Sequence, residues 1–264
     1  LSMGRSGPKA AGYRLSDGKI HDTAFIGSGV QIGHNVSVGP YAVILGPCVI
    51  GDNSFIGPGA KIGSPPEIAS LPQNAAWTND IAHAGVVIGQ GVVIRDNVVI
   101  PQGSHRATTI GDEAWLLNSC YLAHDVQVGP RATISAGVMV GGHVVIGPRV
   151  NIGMGASVHQ RRVIGAGAMV GMGTPVTRDV PPFAKVYGTP ARLHGVNHVG
   201  LQRSGVAELT IQTLKSRYES GDFNVRDLID DVEWREQSAD FRAWNEHSMS
   251  SAERPATPSA SAEE

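Results

Sequence analysis

IGDEAWLLNSCYLAHDVQVGPRATISAGVMVGGHVVIGPRVNIGMGASVHQRRVIGAGAMVGMGTPV, residues 110–176, repeats with a period of six. An aliphatic residue returns at every sixth position, and a small residue, most often glycine, tends to follow it. The series is Ile110, Leu116, Leu122, Val128, Ile134, Val140, Ile146, Ile152, Val158, Ile164, Val170 and Val176. A period of six fits neither an α-helix nor a simple strand. It is typical of a parallel β-helix in which each hexad is one short strand plus a corner. The stretch therefore predicts an all-β solenoid.

Residues that are far apart in this sequence are expected to meet at one corner of the solenoid. Three hexads make one triangular turn of such a β-helix, so residues eighteen apart stack roughly 4.8 Å from each other in the sheet direction. Leu122, Val140 and Val158 then share one inward column. The same count gathers one group of polar and small residues, called here the His124 corner: His124, Asp125, Gly142, His143, His159 and Gln160.

The residue types at the His124 corner favour acyl transfer. Histidine is the commonest general base near neutral pH, and His124 has the adjacent carboxylate of Asp125 as a candidate for orienting its ring. The Gly142 amide, one coil away, is placed to stabilise an oxyanion. No serine or cysteine stands in an obvious position to act as nucleophile. We therefore expect His124 to assist direct attack by a hydroxyl or amine of the substrate.

Earlier hexads run from near Ile20 to Ile62, and two excursions interrupt the register, near residues 64–86 and 102–109. Excursions of this size on a regular solenoid are usually functional. Counting back eighteen residues from Leu122 gives Ser104, which predicts that the second excursion leaves the solenoid at the same corner as His124. Both excursions are then expected to wall one cleft, with Arg106 as a candidate for contacting an anionic group.

The solenoid is expected to span residues 20–182 and to end at a pair of prolines. An extended crossing over residues 183–192 and a helical pattern from about Asn197 predict a small α-helical C-terminal domain within residues 183–248, covering the open end. Residues 1–19 are interpreted as a flexible leader. Residues 249–264, mostly Ser, Ala, Pro and Glu, are expected to form a disordered tail.

Composition narrows the class of protein. The chain has 264 residues, of which 41% are hydrophobic and only 5% aromatic, which predicts a core of aliphatic and small residues. A net charge of -2 gives no reason to expect nucleic acid or an acidic membrane surface as a partner. No apolar run is long enough for a membrane span and no signal peptide is evident, so we expect a cytoplasmic protein without integral membrane association. Cys48 and Cys120 fall inside hexads and are expected to be reduced, buried thiols.

Several short strings resemble one family of enzymes. They are Ala123-His124-Asp125, Gly142-His143, Val158-His159-Gln160, Asp179-Val180-Pro181-Pro182 and Gly195-Val196-Asn197 followed by Gly200-Leu201 and Arg203. From about Ile20 to Trp244 the chain resembles the acyl-carrier-protein-dependent UDP-N-acetylglucosamine O-acyltransferases of lipid A biosynthesis. The resemblance implies a left-handed parallel β-helix, a homotrimer and active sites in the clefts between subunits.

The resemblance also implies roles for individual residues. His124 would be the general base on the sugar hydroxyl, supported by Asp125, and Gly142 would supply the oxyanion amide. We expect His143, His159 and Gln160 to contact the substrate, and Arg203 to bind phosphate. The donor would be acyl carrier protein, with acyl-CoA still possible, and the acceptor a nucleotide sugar; no cofactor and no metal are expected.

A hydrocarbon ruler is a further implication of the resemblance. The family position that limits acyl length matches Met172, where a glycine leaves the channel open in long-chain members. Met154 lies eighteen residues earlier and is expected in the same column. Two methionines that simply fill a gap are the alternative interpretation. If the ruler applies, the acyl chain should be short or medium.

Three departures from the family pattern leave the acceptor open. Tyr121 stands where the family has a histidine three residues before the catalytic one. Residues 64–85 contain no lysine or arginine, although the family has a basic residue there. Thr189-Pro190 replaces the family's Asn-His, and this string is more like the end of ordinary sugar O-acetyltransferases. We expect Tyr121 and Thr189 to contact the acceptor, by O- or N-acylation.

Three other classes of protein were weighed. An acetyl-CoA-dependent sugar acetyltransferase would use the same repeat and a catalytic histidine, but usually lacks a helical domain of this size. A zinc-dependent β-helix enzyme needs two histidines five residues apart, a spacing that His124, His143 and His159 lack. His194 and His198 are four apart, but the intervening Gly195-Val196-Asn197 argues against one helix. A non-catalytic scaffold is the remaining alternative.

Overall fold

The computed structural model describes residues 18–71, 73 and 83–250, the last four as backbone only. In that part the chain winds into a parallel β-helix with three sheets, and consecutive strands pass from one sheet to the next. Most strands are only two residues long, because each hexad also has to form a corner.

The first sheet has eight strands: β1 (Phe25–Ile26), β4 (Val43–Ile44), β7 (Lys61–Ile62), β10 (Val99–Ile100), β13 (Tyr121–Leu122), β16 (Met139–Val140), β19 (Ser157–Val158) and β22 (Pro175–Val176). The second has seven: β2 (Val30–Ile32), β5 (Cys48–Ile50), β8 (Val86–Ile88), β11 (Thr108–Ile110), β14 (Gln127–Val128), β17 (Val145–Ile146) and β20 (Val163–Ile164). The third has nine: β3 (Ser37–Val38), β6 (Phe55–Ile56), β9 (Val93–Ile94), β12 (Trp115–Leu116), β15 (Thr133–Ile134), β18 (Asn151–Ile152), β21 (Met169–Val170), β23 (Ala184–Tyr187) and β24 (Arg192–Val196).

The core is the column of aliphatic residues that the hexads predict. Leu122 pairs with Val140, and Val140 with Val158, each eighteen residues further on. All three side chains are buried. Since full burial of such a side chain stabilises a protein by about 1.5–3 kcal/mol, repetition along the coils is the main source of stability. The predicted parallel β-helix of hexapeptide repeats is confirmed.

The excursions change the register by different amounts. Lys61 pairs with Val99, 38 residues later, and Val99 pairs with Tyr121, 22 residues later. The first excursion therefore adds 20 residues to an eighteen-residue coil and the second adds 4. Placing Ser104 eighteen residues below Leu122 was wrong in this detail, because the residue beside Tyr121 is Val99. Both excursions nevertheless leave the solenoid after strands of the first sheet, β7 and β10, and His124 follows β13 of that same sheet.

The C-terminal end is closed by a β-hairpin before the helices begin. Strand β23 pairs in parallel with β21 and antiparallel with β24, so the crossing predicted as merely extended adds two strands to the third sheet. Three α-helices follow, α1 (His198–Arg203), α2 (Glu208–Glu219) and α3 (Ser238–Ser250), with 3-10 turns at Arg226–Leu228 and Val232–Trp234.

The helices pack on the end of the solenoid through aromatic side chains. The Phe183 ring lies 5.7 Å from Phe241 and 6.4 Å from Trp234, between ring centroids. The buried Tyr218 hydroxyl donates to the Pro182 carbonyl over 3.0 Å. The predicted helical C-terminal region is therefore confirmed. The expected leader and tail fall almost wholly outside the described residues. No helix among those described combines the length and apolar character that a bilayer crossing requires.

Candidate active site

The His124 corner forms because three neighbouring strands of the first sheet end at it. His124 follows β13, Gly142 follows β16 and Gln160 follows β19. Backbone hydrogen bonds tie these coils together: the His143 amide donates to the His124 carbonyl (3.1 Å), and the Arg161 amide donates to the Gly142 carbonyl (2.9 Å). The stacking predicted from the eighteen-residue repeat is therefore present.

His124 and Asp125 form a close pair. The distance from His124 Nδ1 to Asp125 Oδ2 is 2.6 Å. The Asp125 side chain has no exposed surface, whereas 15% of the His124 side chain is exposed. Because an ionised carboxylate only accepts, Nδ1 carries the proton and Nε2 keeps its lone pair. This orientation leaves Nε2 free to take a proton from a substrate, which the sequence alone left undetermined.

Gly142 lies directly beneath the His124 ring. A Cβ atom at position 142 would come within 2.8 Å of both Cε1 and Nε2 of His124, so any side chain here would displace the imidazole. In the part of the chain that the structure describes, the Gly142 amide donates to no acceptor. A donor without a partner, beside Nε2, is available to a developing negative charge.

The Asp125 carboxylate is held by the second excursion. It accepts hydrogen bonds from the Ser104 hydroxyl (2.6 Å), the Ser104 amide (3.1 Å), the His105 amide (2.9 Å) and the Arg106 amide (2.9 Å), as well as from His124. Burial by itself raises the pKa of Asp125, but these hydrogen bonds outweigh it and hold the pKa well below its usual range. Asp125 therefore stays ionised.

His143 packs edge-on against His124, with ring centroids 4.9 Å apart and an interplanar angle of 88°. Burial lowers the pKa of His143, and the positive charges of Arg161 and Arg106 and the neighbouring His124 add to that effect, against the opposing influence of Asp125. A lowered pKa favours the neutral ring near pH 7, so His143 is suited to exchange hydrogen bonds with a substrate.

The first excursion reaches the site from the other side. A Glu67 carboxylate oxygen accepts from the His124 amide over 3.3 Å. Burial, together with a hydrogen bond to Glu67, raises the pKa of Tyr121, so this residue remains a neutral phenol. Sequence reasoning did not single out Glu67, since nothing in residues 64–71 shows how that segment folds back. The rest of this excursion, including Trp77, lies outside the described residues.

A groove of about 490 Å³ runs along the outer face of the first sheet. Its floor is mostly apolar and extends from Tyr121 past Met139 to Pro175, and His159 and Gln160 lie at its edge. His159 Nδ1 lies 3.1 Å from the Gln160 carbonyl, which leaves the outer ring nitrogen facing away from the backbone. The groove has the shape and character that a hydrocarbon chain requires.

Four predicted residues lie away from this cluster. Met172 and Met154 share one column, as predicted, because the Gly173 amide donates to the Met154 carbonyl (2.9 Å). Both side chains are exposed, at the corner where the third sheet leads into the first. Thr189 lies in the turn between β23 and β24, and Arg203 ends α1. Within the described part of this chain, neither Thr189 nor Arg203 contacts the His124 corner.

The chemistry of other candidate ligands and nucleophiles can be judged from their surroundings. His124, Asp125 and His143 offer atoms within 4.8 Å of one another, a spacing that a metal ion could use. However, both Asp125 oxygens already accept several hydrogen bonds. His194 and His198 lie on a strand and a helix, respectively, and His194 stacks on Tyr187. Burial raises the pKa of Cys48 and Cys120 to about 12, so neither thiol is activated as a nucleophile.

A parallel β-helix of hexapeptides with a histidine–carboxylate pair at one corner defines the class of hexapeptide-repeat transferases. The family description "Bacterial transferase hexapeptide (six repeats)" matches residues 29–64 and 107–142. Residues 179–242 match "Udp N-acetylglucosamine O-acyltransferase; Domain 2".

Named relatives narrow the class. An acyl-[acyl-carrier-protein]–UDP-N-acetylglucosamine O-acyltransferase of Caulobacter vibrioides is 52% identical over 130 residues, which cover 47% of this chain and 49% of that protein. The enzyme of the same name from Halorhodospira halophila is 39% identical over 113 residues, 43% of this chain and 44% of its own. The match thus spans about half the length of these curated relatives.

Solved structures agree over a longer range. LpxA from Acinetobacter baumannii superposes with a TM-score of 0.69 at 25% identity, covering 91% of this chain and 99% of that one. The UDP-N-acetylglucosamine acyltransferase of Campylobacter jejuni gives the same TM-score at 23% identity, over 92% and 100% of the two chains, and supports the fold. The chain is a relative of the UDP-N-acetylglucosamine O-acyltransferases, and the resemblance seen in its sequence is confirmed.

Proposed function

We propose that this protein transfers a short or medium acyl group from an acyl-carrier-protein thioester to a hydroxyl of a nucleotide-linked sugar such as UDP-N-acetylglucosamine. The observation that carries the proposal is the 2.6 Å contact between His124 Nδ1 and Asp125, with the unpartnered Gly142 amide beneath the ring. The names of the relatives supply the donor and the acceptor.

The geometry supports direct transfer without a covalent enzyme intermediate. His124 Nε2 removes the proton of the sugar hydroxyl as its oxygen attacks the thioester carbonyl carbon, forming the C–O bond. The Gly142 N–H stabilises the resulting oxyanion. Collapse of the tetrahedral intermediate breaks the C–S bond, and the imidazolium returns its proton to the departing thiolate. Asp125 remains ionised throughout and keeps the ring in the required tautomer.

The remaining predicted residues are assigned to substrate binding. Tyr121, His143, His159 and Gln160 line or edge the groove beside the base and are proposed to contact the substrate. Thr189 and Arg203, the proposed phosphate ligand, lie elsewhere on the chain, which is consistent with sites completed by a neighbouring subunit. We therefore propose a homotrimer, a closed cyclic assembly. We also propose that the enzyme is cytoplasmic and needs no cofactor besides its donor.

Met172 and Met154 are proposed to limit the length of the acyl chain. They flank the first sheet on the side opposite the His124 corner, so a chain that crosses the outer face of this sheet from His124 would meet their column. Met172 is 71% exposed within one chain, so its thioether is free to contact a ligand or a second subunit.

The experiment that tests the donor and the ruler together is transfer to UDP-N-acetylglucosamine from matched panels of acyl-carrier-protein and acyl-CoA donors of increasing chain length. We expect carrier-dependent turnover with short or medium chains, and a shift to longer chains in Met172→Gly, because removing the thioether opens the channel. Lys61→Gly, an exposed strand residue several coils away, is the control and should keep the wild-type chain length.

Two other results would revise the proposal. Preference for acetyl-CoA with a different sugar would place the protein among the sugar acetyltransferases, the class that the Gly188-Thr189-Pro190 string favours. An unchanged chain-length optimum in Met172→Gly would remove the ruler but leave the transferase assignment intact.

A further inference from the structure

The second excursion surrounds the Asp125 carboxylate with an unusual number of donors. Three consecutive amides, those of Ser104, His105 and Arg106, point at one buried side chain, together with the Ser104 hydroxyl. Successive amides that converge in this way form a concave site for an anion. Here the anion is the protein's own carboxylate, 21 residues further along the chain from Ser104.

We propose that Ser104 is a positioning residue for the reaction: the loop of residues 102–107 binds the Asp125 carboxylate so that its Oδ2 atom faces His124 Nδ1. The inference rests on the proposed function, in which His124 is the base. Ser104 touches neither the substrate nor the reacting atoms, and it acts only through Asp125.

The division of hydrogen bonds between the two carboxylate oxygens supports this role. Oδ1 accepts from the His105 and Arg106 amides, both over 2.9 Å. Oδ2 accepts from two side chains, the Ser104 hydroxyl and His124 Nδ1, each over 2.6 Å. The Ser104 amide lies 3.1 Å from both oxygens. With these donors in place, the carboxylate has no freedom to rotate away from the imidazole.

The loop itself is anchored. The buried Gln102 side chain donates to the carbonyls of Gly63 (2.8 Å) and Gly46 (3.2 Å), and its oxygen accepts from the His83 amide (3.2 Å). A Cβ atom on Gly103 would lie 1.6 Å from the Arg106 carbonyl oxygen, so the tight turn requires glycine. The Ser104 hydroxyl is thus fixed from both excursions.

The charged and titratable groups around the pair decide how the loop affects pH dependence. Arg106 Nε donates to the Asp125 carbonyl, and the guanidinium also reaches the His143 carbonyl at 3.4 Å. The His105 ring stacks over His143 at 6.1 Å. Glu67 and Arg161 approach from the first excursion and the next coil, respectively. All of these remain when the Ser104 hydroxyl is removed, so a change can be assigned to that one bond.

The expected result for Ser104→Ala is about a tenfold lower kcat with KM nearly unchanged, the low end of the range for a hydrogen bond to a charged group. The acid limb of the rate profile should move to higher pH, because a carboxylate that shares less of its charge with Ser104 holds the imidazolium more tightly. Ser104→Thr, which keeps a hydroxyl, should recover most of the activity, and Ser37→Ala on distant strand β3 should match wild type.

Two kinetic outcomes would overturn the proposal. In one, Ser104→Ala matches wild type in kcat and in the acid limb. In the other, its activity falls only in proportion to the folded fraction, with the acid limb unmoved, which is what a purely structural serine would give.

Proton NMR separates this proposal from the proposed function. The proton between His124 Nδ1 and Asp125 should resonate far downfield, disappear in His124→Ala and shift in Ser104→Ala. If this shift occurs while wild type fails to acylate the sugar, the role of Ser104 stands and the substrate assignment fails. If wild type is active and the signal is unchanged in Ser104→Ala, the role of Ser104 is refuted.

Discussion

At the scale of single residues, the site depends on one backbone conformation. His124 and Asp125 are adjacent in the chain, and Asp125 adopts a φ of 60°, as His143 does with 62° one coil later. Such left-handed conformations cost a non-glycine residue on the order of 1 kcal/mol, which the surrounding coil must offset. In this backbone conformation the neighbouring side chains of His124 and Asp125 meet in a hydrogen bond.

Asp125→Asn is predicted to reduce kcat by on the order of a hundredfold or more, because the amide can present its donor to Nδ1 and favour the wrong tautomer. It should also lower the free energy of unfolding near pH 7 by about 2 kcal/mol, through loss of charge-assisted hydrogen bonds. Urea unfolding of both proteins measures the second effect.

The pH dependence of that stability difference follows from the direction of the pKa shift. Since the pKa of Asp125 is lower in the folded state than in the unfolded chain, its contribution is complete above the unfolded pKa. It is lost as the pH falls towards the folded value. The difference between wild type and Asp125→Asn should therefore shrink below about pH 4. A difference that stays constant from pH 7 to pH 3 would contradict the assignment.

How far residues can be predicted from sequence is clear at this corner. The hexad count brought His124, Asp125, Gly142, His143 and Gln160 together correctly, because regular coils convert spacing into distance. It could not give the hydrogen bond between His124 and Asp125, nor the role of Ser104. Those depend on the φ of one corner residue and on the path of an irregular loop, neither of which has a periodic signal.

At the scale of elements, the corner bearing His159 and Gln160 is supported by a buried ion pair. Arg162 Nη1 lies 3.6 Å from Asp179 Oδ1, and Arg162 Nε donates to the Gln160 carbonyl over 3.3 Å. Asp179 also accepts from the Val163 amide over 2.9 Å. The pair therefore links the last coil to the string that ends the solenoid.

Arg162→Met is predicted to destabilise the protein by about 3 kcal/mol, because it leaves the buried Asp179 carboxylate without its cation. The adjacent Arg161→Met, which truncates an exposed arginine, should change stability by less than about 0.5 kcal/mol. Chemical denaturation of the two variants is the measurement. Equal losses for the two variants would show that the Arg162–Asp179 pair has no special weight.

The strands of the solenoid were predictable, and the hairpin β23–β24 was not. Hexads repeat often enough to reveal their period, whereas this hairpin occurs once, and its turn at residues 188–191 interrupts any alternation. The register across the excursions was also beyond the sequence, since the number of inserted residues that leave the coil is fixed only by the pairing of Val99 with Lys61 and Tyr121.

At the scale of the whole molecule, one chain presents its functional parts on separate surfaces. The base and the oxyanion donor lie at one corner of the coil, the Met172 column at another, and Arg203 on the helical region. A cyclic trimer would bring the surfaces of different chains together, and the apolar groove along the first sheet would then lie within a cleft. This arrangement is the physical reason for proposing an oligomer.

The most direct test of the account is the formation of acylated UDP-N-acetylglucosamine from acyl carrier protein, measured by mass spectrometry for wild type and His124→Ala at equal concentrations of folded protein. His34→Ala, at an exposed corner of an early coil, is the matched control. The account predicts product with wild type and the control, and a rate lower by about a hundredfold to ten-thousandfold in His124→Ala. Retention of more than about a tenth of the wild-type rate in His124→Ala would contradict the role of His124 as the base.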